Sequence, residues 1–146
     1  MLYTHSEEGS MGDYRPKKTV WKYILVDVCT QRDFLESGAI LQVANRDELI
    51  INLRHIFHWA RANDIAIVSV IESHRPTEPL NGYPLHCIDN SPGQKKLDFT
   101  LTTPRFLVEA DNYLSLPPDL RDNYRQLLFR KRSRDVLSNP KTDRFL

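Results

Sequence analysis

Tyr23-Ile-Leu-Val-Asp-Val28 decides how the rest of the chain is read. It is a short apolar run rich in β-branched residues, with one carboxylate, Asp27, near its end. Such a run predicts a strand buried on both faces, as in a parallel sheet. Downstream, Leu49, Ile50, Leu53, Ile56, Phe57 and Ala60 form one apolar stripe at helical period, which predicts a helix over residues 45–63. Asn45 reads as its N-cap, and Glu48 completes a capping-box pattern. Asn63-Asp64 is the exit, and Ile65-Ala-Ile-Val-Ser-Val-Ile71 is a second buried strand. Strand, helix, strand in this order predicts a right-handed βαβ unit and an α/β fold with a parallel sheet.

Residues 72–104 hold Pro76, Pro79, Pro84, Pro92, Pro104, Gly82 and Gly93 without clear periodicity. A stretch of that length inside a compact domain reads as functional. Two short apolar runs follow, Phe106-Leu-Val108 and Gln126-Leu-Leu-Phe129, and the second is taken as the third parallel strand. Asn139-Pro140 has the form of an N-cap and first helical residue, with Asp143 in the first turn, yet the sequence stops at Leu146. A helix of about seven residues is marginal, so the expectation is a domain cut short after its third strand. Residues 1–20 read as an irregular leader, and 21–146 as the amino-terminal part of one domain.

The 146 residues are 40% hydrophobic, enough for a core, and 20 basic against 19 acidic side chains leave a formal charge of +1. That balance gives no electrostatic ground for a nucleic acid or anionic membrane partner. No apolar run approaches a span of ~20 residues, and the first 20 residues lack the apolar stretch of a signal peptide. Two cysteines are too few for a disulfide scaffold. A cytoplasmic protein acting on a small molecule is expected.

Four groups of residues can carry chemistry. Asp27 sits where parallel sheets place their sites, and reads either as a site carboxylate or as a hydrogen-bonded strand-end aspartate. Glu72 and His74, two apart on an extended segment, point to one side. With His86 they offer three ligands for a divalent metal, or they are ordinary loop histidines beside an acid. Lys131 belongs to the cluster Phe129-Arg130-Lys131-Arg132, a solvated strand exit unless the first and third strands are neighbours and bring it beside Asp27. Cys29 and Cys87 are the only thiols; both read first as structural, Cys29 because the Asp27 charge two residues away would raise its pKa, and the weaker alternative is that one of them is a nucleophile beside Asp27 and Lys131.

Taken together, Leu25-Val-Asp-Val-Cys-Thr-Gln-Arg-Asp-Phe34, Ile67-Val-Ser-Val-Ile-Glu-Ser-His74, Pro84-Leu-His-Cys-Ile-Asp-Asn-Ser-Pro-Gly93 and Leu128-Phe-Arg-Lys131 with Asp135-Val-Leu-Ser-Asn-Pro140 resemble the isochorismatase-like cysteine hydrolases, which include the nicotinamidases. The motifs run in the family's order over about residues 22–146. The resemblance implies a three-layer αβα fold with a six-stranded parallel sheet, the isochorismatase-like hydrolase fold. It also implies hydrolysis of a small amide C–N bond through a thioester. Asp27 and Lys131 match the catalytic aspartate and lysine. Glu72, His74 and His86 match the metal ligands, Glu72 standing where an aspartate is usual. The implied cofactor is a divalent metal, zinc first, and no organic cofactor. The family's nucleophilic cysteine lies beyond this sequence, and neither Cys29 nor Cys87 matches it. The chain alone is therefore expected to be inactive, and to form a homo-oligomer or to associate with a missing carboxy-terminal half. The alternative is a non-catalytic half-domain that binds a metal or a subunit.

Overall fold

The computed structural model describes residues 20–111, 113 and 115–145; the expected leader, apart from Val20, lies outside them. Four strands form one wholly parallel sheet in the order β1-β2-β4-β3, with β1 at Ile24–Val28, β2 at Ala66–Glu72, β3 at Arg105–Val108 and β4 at Gln126–Lys131. The helices are α1 (Arg32–Leu35), α2 (Arg46–Ala62), α3 (Leu120–Asn123) and α4 (Thr142–Phe145). The expected βαβ unit is β1-α2-β2. The run Phe106-Leu-Val108, passed over in the sequence, is also a strand. Its four residues carry little periodic signal, and pairing with β4 makes it one.

The sheet is covered unequally. On one face the apolar stripe of α2 (Leu53, Phe57, Ala60) packs on Leu25 and Ile67. On the other, Leu120 of α3 and Phe145 of α4 pack on Val68, Val70, Leu127 and Phe129. That second layer stops short of β1, where Ile24, Val26 and Val28 stay 37%, 50% and 43% exposed. The expectation that β1 is buried on both faces is thus corrected. A strand is buried by its neighbours, and among the described residues β1 is an edge strand with one face bare. Central β2 is buried along its whole length.

One local cap expectation changes, at Asn45, and the other holds, at Asn139. Asn45 precedes α2, but its side chain makes no capping bond; Arg46 instead ties the helix start to the Leu35 carbonyl at 2.6 Å. Asn139 is fully buried, donating to the carbonyls of Val108 (3.2 Å) and Arg130 (2.8 Å) and accepting from the Lys141 amide (3.0 Å). It pins α4 to the ends of β3 and β4. No described helix is long and apolar enough to cross a membrane.

Candidate active site

The site grows from the carboxyl ends of β2 and β4, where Glu72 and Lys131 stand opposite each other in register. Glu72 is 5% exposed and Lys131 1%. Burying either charge alone costs several kcal/mol, on the order of the penalties measured for unpaired buried ions. They pair instead: Lys131 Nζ donates to Glu72 Oε2 at 3.1 Å and to the carbonyls of Ser133 (2.8 Å) and Arg134 (3.3 Å). The fully buried Gln31 clamps the Glu72 backbone from both sides. Its amide nitrogen donates to the Glu72 carbonyl (2.8 Å), and its oxygen accepts the Glu72 N–H (2.7 Å).

The other carboxylate oxygen, Oε1, meets two imidazoles, His74 Nε2 at 2.8 Å and His86 Nε2 at 3.1 Å. His86 reaches this point through a loop that is itself anchored. The Cys87 N–H donates to Asp33 (2.6 Å), and the Asp33 N–H donates to the Gly93 carbonyl (3.0 Å). A Cβ on Gly93 would lie 2.0 Å from that Asp33 carboxylate, so only glycine fits. The Asp33-Phe34 and Pro92-Gly93 motifs are therefore two halves of one joint.

These donors suit a divalent metal. One ligand atom from each of Glu72, His74 and His86 falls within 4.8 Å of the others, all three residues buried. His86 Nδ1 lies 2.8 Å from the Pro84 carbonyl, which can only accept, so Nδ1 carries the proton. In the neutral ring Nε2 then turns a lone pair toward a carboxylate oxygen. That arrangement is favourable only with a cation between them or a second proton on the ring. A metal ligand held by a backbone carbonyl through its other nitrogen is the common second contact of such sites. His74 Nδ1 is buried without a hydrogen bond among the described residues, 3.6 Å from Glu78.

Electrostatics follow from the same contacts. Burial pushes the Glu72 carboxyl up, but the His74 hydrogen bond, the Lys131 charge and hydrogen bond, and the His86 contact outweigh it and hold the carboxyl down at about 2. Cys29 Sγ lies 3.7 Å from Glu72 Oε2. Burial, assisted by Glu72 and opposed by Lys131, raises its thiol to about 11. Cys87 is raised as well, chiefly by burial and then by Asp33. Neither thiol is poised as a thiolate.

Asp27 and Lys131 do not emerge side by side. Central β2 separates their strands, and each takes a different partner. Asp27 Oδ2 is bound by the Lys96 ammonium and by Ser69 Oγ (2.7 Å), and Lys96 also donates to Thr30. Asp27 Oδ1 is buried with no hydrogen-bond partner among the described residues. The β1 end brings Cys29, not Asp27, toward Glu72. Lys96 was missed in the sequence. The available signal was Asp27 itself, since a buried carboxylate needs a cation.

In front of Glu72, His74 and His86 lies a cleft of about 240 Å³, whose walls include Glu78, Tyr83, Arg132 and Arg134.

The parallel sheet order and a site at the carboxyl ends of its strands define an α/β scaffold, and solved structures specify it further. No protein-family model matches the chain, and no curated protein matches it. Among solved structures, an isochorismatase-like hydrolase from Alkaliphilus metalliredigens superposes with a TM-score of 0.61 at 22% identity, covering 86% of this chain and 60% of that one. N-carbamoylsarcosine amidase from Thermoplasma acidophilum gives 0.62 at 16% identity, with coverages of 86% and 60%. Pyrazinamidase of Pyrococcus horikoshii, solved in complex with zinc, gives 0.50 at 21% identity, with coverages of 76% and 52%. The chain has the isochorismatase-like hydrolase fold, and it spans between about half and three-fifths of the length of these structures.

Proposed function

We propose that this chain is the metal-binding part of a hydrolase that cleaves a small amide C–N bond, as in the nicotinamidase-like enzymes. The observation that carries the reading is the meeting of His74 Nε2 and His86 Nε2 on Glu72 Oε1, with His86 oriented by the Pro84 carbonyl. The three residues would hold a divalent cation, zinc first, which would supply a Lewis-acidic contact for a substrate nitrogen or oxygen. Lys131 keeps Glu72 ionised. Gln31 and the Asp33–Gly93 joint fix the ligands in place. Asp27 Oδ1, an acceptor left without a partner, would take the proton of a thiol nucleophile.

That thiol is supplied by a polypeptide segment pairing with β1, whose edge and bare face offer unpaired backbone and exposed Ile24, Val26 and Val28. The chain alone therefore binds metal and releases no ammonia from nicotinamide. The non-catalytic reading, a module that binds metal or a second subunit, draws on the same exposed face. Equilibrium dialysis against zinc tests the metal centre. One ion per chain, lost in His86→Ala, is expected; zinc binding unchanged in that variant would overturn it. Ammonia release by the pure chain would overturn the requirement for an added thiol.

A further inference from the structure

We propose that the cleft selects a small molecule carrying a carboxylate, and that Arg134 is the residue that reads it. The proposal rests on the amide-hydrolase reading only for taking this cleft as the substrate site. Most of the charges on its walls are already committed. Glu72 is paired with Lys131, and Arg132 with Asp89 at 2.6 Å. Glu78 accepts the Arg75 N–H at 2.9 Å and faces His74. Arg134 is different. Its guanidinium carbon lies 3.6 Å from the centre of the Tyr83 ring, and it has no carboxylate or carbonyl partner among the described residues.

Stacking uses the face of a guanidinium and leaves its in-plane N–H fork open, the geometry that matches a carboxylate. The stack also fixes the side chain before any ligand arrives. Its backbone is fixed too, because the Arg134 carbonyl accepts from Lys131 Nζ, the ammonium that holds Glu72. The fork and the metal-ligand cluster are thus tied through one buried lysine. A divalent cation on Glu72, His74 and His86 would leave the cleft net positive, which favours an anionic ligand. A cleft of about 240 Å³ admits a ligand well below drug size. A neutral aromatic amide would leave the fork unused.

The test compares malonamate with malonamide, two amides of equal size that differ in one carboxylate. Binding is followed by protein-observed NMR titration at low ionic strength, with and without zinc. Malonamate is expected to bind at least about tenfold more tightly than malonamide. In Arg134→Met, which keeps the packing on Tyr83, the two should fall within about twofold of each other, and Arg134→Lys should be intermediate. Equal affinities in the wild type, a preference that survives in Arg134→Met, or binding of neither compound would overturn the proposal. A chain that prefers malonamate but takes up no zinc would uphold this inference and overturn the metal centre. Zinc uptake with no preference would do the reverse.

Discussion

Two buried lysine–carboxylate pairs sit in this one sheet, Lys131 with Glu72 and Lys96 with Asp27, and all four residues are 5% exposed or less. They differ in what the second carboxylate oxygen meets. At Glu72 two imidazole nitrogens converge on it at the floor of a polar cleft. At Asp27 it meets nothing described, beside an apolar groove lined by Val26, Leu53 and Phe57. The first pair holds a ligand set in place. The second braces β1 against the loop that carries Lys96, through the Thr30 and Ser69 hydroxyls and Gln126, which donates to Ser69 at 2.8 Å. An ion pair alone therefore does not say what its carboxylate can do. The surroundings of the free oxygen do: converging imidazoles suit a metal, and an open acceptor suits a proton.

The largest effect expected from breaking this comparison falls on the brace. Lys96→Ala leaves Asp27 buried without its cation and should cost about 3–5 kcal/mol in urea unfolding. Burial lowers the Lys96 pKa and Asp27 offsets this only in part, so the pair is held under strain of desolvation. Replacing both partners, Asp27→Leu with Lys96→Met, should recover most of the loss. Recovery no better than the single variant would mean that Asp27 does more than brace.

At the site itself the expected effects fall on binding. His86→Ala should weaken zinc affinity by at least about a hundredfold, measured by competition with a chelating dye. Acid should act through Glu72 in the zinc-free protein. Its folded pKa of about 2 lies below the ordinary value of 4.5, so its contribution to stability is full above pH 4.5 and is lost as the pH falls toward 2. Urea unfolding across that window should show a slope that Glu72→Gln flattens; an unchanged slope would show that other carboxylates carry it. The smallest effect belongs to β1, where Val26→Lys on the bare face should change unfolding free energy by no more than about 0.5 kcal/mol. Sedimentation would show reduced self-association in the same variant if that face is an interface.

Much of this was legible in the residues. The α2 stripe, the β2 run and the Glu72-x-His74 spacing are local patterns, and local patterns survive folding. His86 joined the candidate ligand set as a second histidine in the loop that follows His74, and the motif resemblance matched it to the same set. The unread parts depend on neighbours far along the chain. Lys96 meets Asp27 across 69 residues, and nothing in Lys95-Lys96 says which lysine turns inward. The placing of β2 between β1 and β4, which parts Asp27 from Lys131, is a matter of crossover order. The bare face of β1 shows how burial differs from hydrophobicity: Ile24, Val26 and Val28 are apolar yet exposed, because no described element packs over them.

The most direct test is the zinc-induced shift in melting temperature, measured in parallel for the wild type, His86→Ala and Asp27→Asn. A ligand that binds only the folded state raises its stability by an amount set by its affinity. A clear upward shift is expected in the wild type, none in His86→Ala, and an undiminished shift in Asp27→Asn from a lower starting temperature. A shift that persists in His86→Ala and vanishes in Asp27→Asn would mean that the ligand set and the brace have been assigned the wrong way round.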